Sequence, residues 1–234
     1  MHDITAGKRA FDLAVSLVLV LLLWPVLLGT ALLLLLAEGR PILYLSERSG
    51  GPGRRFRLWK FRTMPVGADA AGGVSGGDKT RRLSRLHRTL RRTRIDELPQ
   101  LWNVLRGDMS LVGPRPPDPH YVEMYPELYA AVLRCRPGVT GLATLVFHEH
   151  EERLLAACRT PGETDATYRR RCVHRKARLD LIYQRHQSLL LDLGLVARTA
   201  ARPVRQALLA APRRPSRPAL SLGADPIAPA VPAE

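Results

Sequence analysis

Two adjacent acids, Asp96 and Glu97, stand in the stretch TRIDELPQLWNVL from Thr93 to Leu105. Arg91, Arg92 and Arg94 precede them, and Arg115 of GPRP follows. Acids opening a helix commonly serve as caps, and helix neighbours point about 100° apart, so the pair cannot work as a facing acid and base. The same position lies beside free backbone amides and the positive end of a helix dipole, which suits phosphate. A carboxylate there can attack phosphorus and form an acyl phosphate. Attack on a diphosphate requires its charge to be neutralised, by Mg²⁺ held on one or two carboxylates and by arginines. On these residues alone, capping and chemistry are both open.

The surrounding pattern predicts a helix from Asp96 to Arg106, capped by Asp96, with Pro99 in the first turn and Gly107 as the stop. Its buried stripe is Leu98, Leu101, Trp102 and Leu105. Before it, Thr80 to Arg94 predicts a very basic helix with Leu83, Leu86 and Leu90 on one face. Upstream, RPILYLSERSG and RRFRLWKFRTM around GGPG predict a β-hairpin. Gly67 to Asp78 is glycine-rich and predicts a mobile loop; no GKS/T follows, so it is not a phosphate loop of that type.

Further on, an acidic, tyrosine-bearing segment (His120 to Tyr129) leads into RCRPGVTGLATL, expected as a loop turning at Pro137-Gly138. Helices are expected over Glu149 to Ala157, Tyr168 to Tyr183 and Leu189 to Leu209. His148, Glu149, His150, Glu151 and Glu152 lack HExxH spacing and predict an exposed loop entering a helix, not a metal site. From Pro212 the tail has no core-forming pattern and predicts disorder.

From Leu13 to Ala37 the chain is uncharged and apolar, long enough to cross a bilayer, where roughly 20 residues suffice. The apolar run continues into EGRPILYLSERSG without a cleavage site, which excludes a cleaved signal peptide. Pro25 at its centre removes an amide and predicts a kink or break. Lys8 and Arg9 precede the run and Arg40, Arg48, Arg54, Arg55 and Arg57 follow it, so the positive-inside rule wants both ends cytoplasmic. A kinked spanning helix and a re-entrant one are both geometrically open. In the re-entrant case Lys8 and Arg9 are expected near lipid phosphates.

The 234 residues carry 36 Lys+Arg against 21 Asp+Glu, an excess that favours anionic partners: nucleic acid, anionic lipid or phosphorylated substrates. Three cysteines without CxxC spacing give neither a disulfide scaffold nor a zinc site and fit a reducing compartment.

In order and spacing, KRAFD before the apolar run, GRPILYLSERSG, RFRLWKFRTM, RIDELPQLWNVLRGDMSLVGPRP, RPGVTGLA and RLDLIYQRHQSLLLDLGLVART resemble the bacterial sugar transferases of the monotopic phosphoglycosyl transferase family, over roughly residues 8 to 200. The resemblance implies a membrane enzyme that moves a sugar 1-phosphate from a UDP-sugar to polyprenyl (undecaprenyl) phosphate with release of UMP, initiating exopolysaccharide, O-antigen or glycoprotein glycan assembly. It makes Asp96 the nucleophile of an Asp-Glu dyad, with Asp96 and Glu97 holding Mg²⁺. It marks Lys60, Arg62, Arg115 and Arg136 as phosphate contacts and Asp180 as a further acidic site position, and Arg91, just before the pair, is expected to join them in binding substrate. It also makes Pro25 the break of a re-entrant helix. Trp24 stands where many members have Ser, and Glu47 where Gln is common.

The expected fold is α+β and mostly helical: residues 1–12 an N-terminal interfacial segment, 13–38 a proline-broken re-entrant membrane helix, 39–210 a cytoplasmic catalytic domain with a short hairpin and amphipathic interfacial helices, and 211–234 a disordered Pro/Ala-rich tail. Expected partners are the UDP-sugar donor, the polyprenyl phosphate acceptor and anionic lipid headgroups at the bacterial inner membrane, without nucleic acid; a homodimer is left open. The alternative is a membrane-anchored basic binding module, or an inactive relative, without turnover.

Overall fold

Among the polar residues of the N-terminal helix α1 (Ala6–Glu38), Lys8, Asp12, Ser16 and Thr30 are buried, whereas Leu17, Val18, Leu21, Leu22, Trp24, Leu28 and Leu36 are exposed. This inversion is unfavourable in water and suits a helix whose outer solvent is hydrocarbon. The computed structural model describes residues 5–51, 53–64 and 83–210, with side chains to 202. In it α1 is helical throughout, Pro25 included; Thr5 caps its start and Gly39, at φ 70°, its end. Residues 6–12 are thus the first turns of the same helix as the apolar run.

Both ends of α1 dock on the rest of the molecule. Lys8 Nζ lies 2.8 Å from Asp12 Oδ1 and 2.8 Å from Asp192 Oδ2, and Asp12 accepts from Ser110 Oγ at 2.7 Å. Arg9 donates to the carbonyls of Val104 and Leu105 at 2.7 and 2.9 Å. The expectation that these two cations face lipid phosphates is thus corrected. A buried ammonium needs carboxylates, and Arg9 satisfies carbonyls at a helix C-terminus, where cations are favoured. At the other end Leu34 packs with Phe61 and Leu90, His87 Nε2 lies 2.9 Å from Glu38 Oε1, and Arg62 donates to the carbonyls of Glu38 and Gly39 at 3.0 and 3.3 Å.

Strands β1 (Leu43–Gly51) and β2 (Arg54–Phe61) form the expected antiparallel hairpin, turning at Gly53, with Leu43 opposite Phe61 and Glu47 opposite Arg57. Helix α2 (Arg85–Thr93) is capped by the Ser84 side chain and ends at Arg94, which adopts the left-handed conformation with φ 60°. The single helix expected from Asp96 is instead a 3-10 turn, Ile95–Glu97, followed by α3 (Gln100–Arg106), whose N-cap is Pro99. Pro99 has no N–H to return to Ile95, so Leu98 N bonds Ile95 O and the chain tightens before the α-helix begins. Asp96 is therefore not a cap. Gly107, at φ 92°, is the stop, as expected.

The loop expected around Pro137-Gly138 is partly a strand. β3 (Ser110–Val112) and β4 (Gly138–Thr140) pair in parallel, Ser110 opposite Gly138 and Val112 opposite Thr140. Three-residue strands are too short to show a period. A Cβ on Gly138 would fall 2.1 Å from Gly113 N, so the two backbones meet only because glycine stands there.

Helices α4 (Pro119–Met124), α5 (Pro126–Val132), α6 (Leu142–Ala156) and α7 (Pro161–Tyr168) follow. A π segment, Arg169–Val173, leads from α7 into α8 (His174–Arg185), and α9 (Leu189–Ala210) closes the described chain. α6 begins at Leu142, not Glu149, so His148 and His150 lie within a helix and not in a loop. Buried Ala143, Phe147 and Leu155 supply the core contacts that extend it. One core gathers Tyr121, Tyr129, Val132, Leu133, Phe147 and Cys172; a second joins the hairpin to α3 and α9 through Phe56, Leu58, Val104, Met109, Tyr183 and Leu195. The fold is mostly helical with a short antiparallel sheet, as expected, plus the small parallel pair. The expected Gly67 to Asp78 loop and the 211–234 tail lie outside the described residues.

Candidate active site

The 3-10 turn carries Asp96 and Glu97 into the interior, where both are more than nine-tenths buried. α3 is tied to β2 by Asn103, which accepts from Trp59 N at 3.0 Å and donates to Arg57 O at 2.8 Å. That bond sets the register in which Lys60, next along β2, faces the dyad. α2 is fixed from the other side, Arg91 Nε donating to Thr63 Oγ1 at 2.9 Å.

The two acids have opposite environments. Glu97 accepts from Arg115 Nη2 at 2.5 Å and Nη1 at 3.4 Å, lies 2.9 Å from Arg94 Nη1, and has Lys60 Nζ at 4.0 Å. Burial alone would raise its pKa, but Arg115, then Arg94 and Lys60, outweigh burial and hold it well below the usual carboxylate range. Asp96 Oδ1 is buried without a hydrogen-bond partner. Burial, then the Glu97 charge, push its pKa up to about 6 against the pull of Lys60, Arg94 and Arg91. Lys60 is itself lowered by burial to about 8, with Glu97 opposing. At neutral pH the site thus holds an ionised, strongly clamped glutamate beside an aspartate that is largely ionised but poorly solvated. A poorly solvated carboxylate with a free oxygen suits nucleophilic attack.

Of the residues singled out in the sequence, Lys60, Arg91 and Arg115 gather around Asp96 and Glu97. Arg62 braces the C-terminal carbonyls of α1. Arg136 lies beside Arg9 at the Gly107 turn. Asp180 is buried on α8, its pKa raised by burial to about 7 with Lys176 opposing; no hydrogen bond or ion pair joins it to the dyad among the described residues.

Sequence reasoning missed the contribution of α6. His148 Nε2 lies 3.1 Å from Glu152 Oε1, and Glu151 holds Lys176 Nζ at 2.9 Å, with the Tyr168 hydroxyl 3.2 Å from the same ammonium. Arg94 and Arg115 act on His148, whose pKa burial lowers first of all, and Glu151 acts on Arg115, so this helix face borders the dyad. The signal was the i, i+3, i+4 spacing of His148, Glu151 and Glu152, obscured by starting the helix too late.

A family model described as bacterial sugar transferase matches residues 4–206. The UDP-N-acetylgalactosamine-undecaprenyl-phosphate N-acetylgalactosaminephosphotransferase of Aeromonas hydrophila is 37% identical over 144 residues, covering 59% of this chain and 34% of its own length. The undecaprenyl-phosphate glucose phosphotransferase of Komagataeibacter xylinus is 38% identical over 206 residues, 84% of this chain and 36% of that one. The UDP-glucose:undecaprenyl-phosphate glucose-1-phosphate transferase of Caulobacter vibrioides is 40% identical over 199 residues, 82% and 67% respectively. The chain thus spans about a third to two thirds of the length of these relatives.

Proposed function

Because the chain belongs to the bacterial sugar transferase family, we propose that it transfers a sugar 1-phosphate from a UDP-sugar to undecaprenyl phosphate through a covalent intermediate on Asp96. The observation that carries this reading is the unpartnered, buried Asp96 Oδ1 beside a glutamate already neutralised by arginines. Asp96 attacks the phosphorus that bears the sugar; an Asp96–phosphorus bond forms, the phosphoanhydride bond breaks, and UMP departs with the electron pair. An oxygen of the lipid phosphate then attacks the same phosphorus, and Asp96 leaves as a carboxylate. Atoms balance and the enzyme returns unchanged.

Arg115, Arg91 and Lys60 supply fixed positive charge where the leaving phosphate gains negative charge. The residues fit Mg²⁺: Asp96 offers an unpartnered oxygen, and Glu97 is a second carboxylate adjacent to it. Mg²⁺ commonly needs only one or two protein carboxylates, the rest of its shell being phosphate and water. When bound it would offset diphosphate charge. Glu97 keeps the turn ordered through Arg115, and Asp96 provides the attacking oxygen.

The re-entrant path of α1 belongs to the same proposal. A straight helix of 33 residues would be about 50 Å long. Lys8 and Glu38, near its two ends, both hold partners in the catalytic domain, at Asp192 and His87. This favours entry and exit by one leaflet, with the domain on the cytoplasmic side.

The test is UMP release from a panel of UDP-sugars, with Mg²⁺ and a polyprenyl phosphate, by detergent-purified protein. UMP with one donor supports the reading and names the sugar. UDP as the product points to ordinary glycosyl transfer, and no turnover with full substrate binding points to an inactive relative.

A further inference from the structure

Resting on the transferase reading, we infer that Arg94 is a mobile phosphate-binding arm for the donor diphosphate, parked on Glu97 while the site is free of ligand. Four cations, Lys60, Arg91, Arg94 and Arg115, surround Asp96 and Glu97; of the carboxylates on the bordering face of α6, Glu151 is neutralised by Lys176, which leaves Glu152, among the described residues, as the one further acid on which Arg94 acts and a net excess of positive charge at the dyad. That surplus of positive charge matches an incoming diphosphate, which carries a negative charge on each phosphate. The four are not held alike. Arg91 is fixed to Thr63 at 2.9 Å, and Arg115 grips both oxygens of Glu97. Arg94 makes a single 2.9 Å contact with Glu97 Oε2, and its side chain remains 26% exposed.

Its backbone is the second observation. Arg94 is the one non-glycine residue with positive φ among the described residues, at φ 60° and ψ 16°. Glycine or asparagine takes this position at a helix end with less strain, and arginine there marks a position held for its side chain. Sitting between the last turn of α2 and the 3-10 turn, it swings about its own side-chain bonds without displacing either element. Glu97 stays paired with Arg115 when Arg94 leaves, so the exchange of one anion for another strands no buried charge.

The experiment compares wild type with Arg94→Asn, which keeps the left-handed backbone and removes the guanidinium, and with Arg94→Lys. All are full chains in nanodiscs of phosphatidylethanolamine and phosphatidylglycerol. UDP binding in EDTA is measured by calorimetry, and UMP release gives KM for each substrate and kcat. The expected result is at least a tenfold rise in the UDP Kd and the donor KM for Arg94→Asn, with melting temperature unchanged and Arg94→Lys intermediate. A UDP Kd within twofold of wild type overturns the inference, as does a shifted pH profile with unchanged UDP affinity, which would make Arg94 only a positioning residue for the dyad. A rise confined to the KM of the polyprenyl phosphate also overturns it, by moving the arm to the acceptor. Should Arg94→Asn lower the melting temperature, Arg94→Gly is read by the same criteria. If wild type binds UDP but releases no UMP from any donor, the transferase reading fails while the difference in UDP affinity still decides the arm.

Discussion

On the proposed mechanism, Asp96 gives up stability for chemistry. Its pKa is raised to about 6 from 3.8, first by burial and then by Glu97. A raised folded-state pKa means the folded protein holds the proton more tightly, so this group's contribution to stability is present below about pH 4 and is lost as pH rises through about 6. At pH 7.5 the ionised side chain is therefore a destabilising one. Asp96→Asn is expected to abolish UMP release and yet raise the melting temperature at pH 7.5, by a free energy on the order of 2 kcal/mol. The gain should vanish near pH 4. Calorimetric scans at the two pH values check this, and a melting temperature that falls at both would show that Asp96 is structural. For catalysis the same ionisation works in the opposite direction. kcat/KM for the donor should fall on the acid side, at or below about pH 6 because Mg²⁺ beside the carboxylate favours its ionised form, since protonated Asp96 could not attack. A pH–rate profile with no acid limb below pH 7 would contradict the assignment.

At the scale of elements, the parts legible in the sequence are those with a long period or a strong stop. The hairpin, the apolar helix, α9 and the Gly107 stop all follow from side chains that alternate, repeat or permit positive φ. The cluster around Asp96 and Glu97 was legible because arginines flank the dyad closely in sequence. What was not legible depends on tertiary partners. The parallel pairing of Ser110 to Val112 with Gly138 to Thr140 is decided by backbones meeting at Gly113 and Gly138. The early start of α6 is decided by Phe147 and Leu155 finding a core. Lys8 looked like a headgroup ligand because nothing local reveals Asp192. It is expected that Lys8→Met, which leaves Asp12 and Asp192 buried without their cation, costs about 3–5 kcal/mol. The triple change Lys8→Met, Asp12→Asn and Asp192→Asn should recover a good part of that loss. Thermal melts of the purified variants measure both, and a mild effect of Lys8→Met alone would mean that the cluster is wetter than its burial indicates.

For the whole molecule, the excess of arginine over acid predicts an affinity for anions, but composition could not say which arginines are used within the fold. The fold divides that charge among separate tasks. Arg9 and Arg62 secure helix ends, Arg115 grips Glu97 while Arg94 rests on it, and Arg202 reaches Glu149 at 3.0 Å. Few of these could be told apart from the chain alone, since each depends on which element crosses which.

The Lys8–Asp192 pairing also has a consequence for biogenesis. It joins the first helix to the last described one, about 180 residues later. During synthesis at about 5–20 residues per second, α1 must wait roughly 10 to 40 s before its distal partner exists. With α1 placed in the membrane as proposed, its insertion and the local pairing of Lys8 with Asp12 are expected to precede closure of the rest of the chain over it. A chain released just short of Asp192 should be found in the membrane fraction with its hairpin and α2 open to protease, whereas the full chain resists.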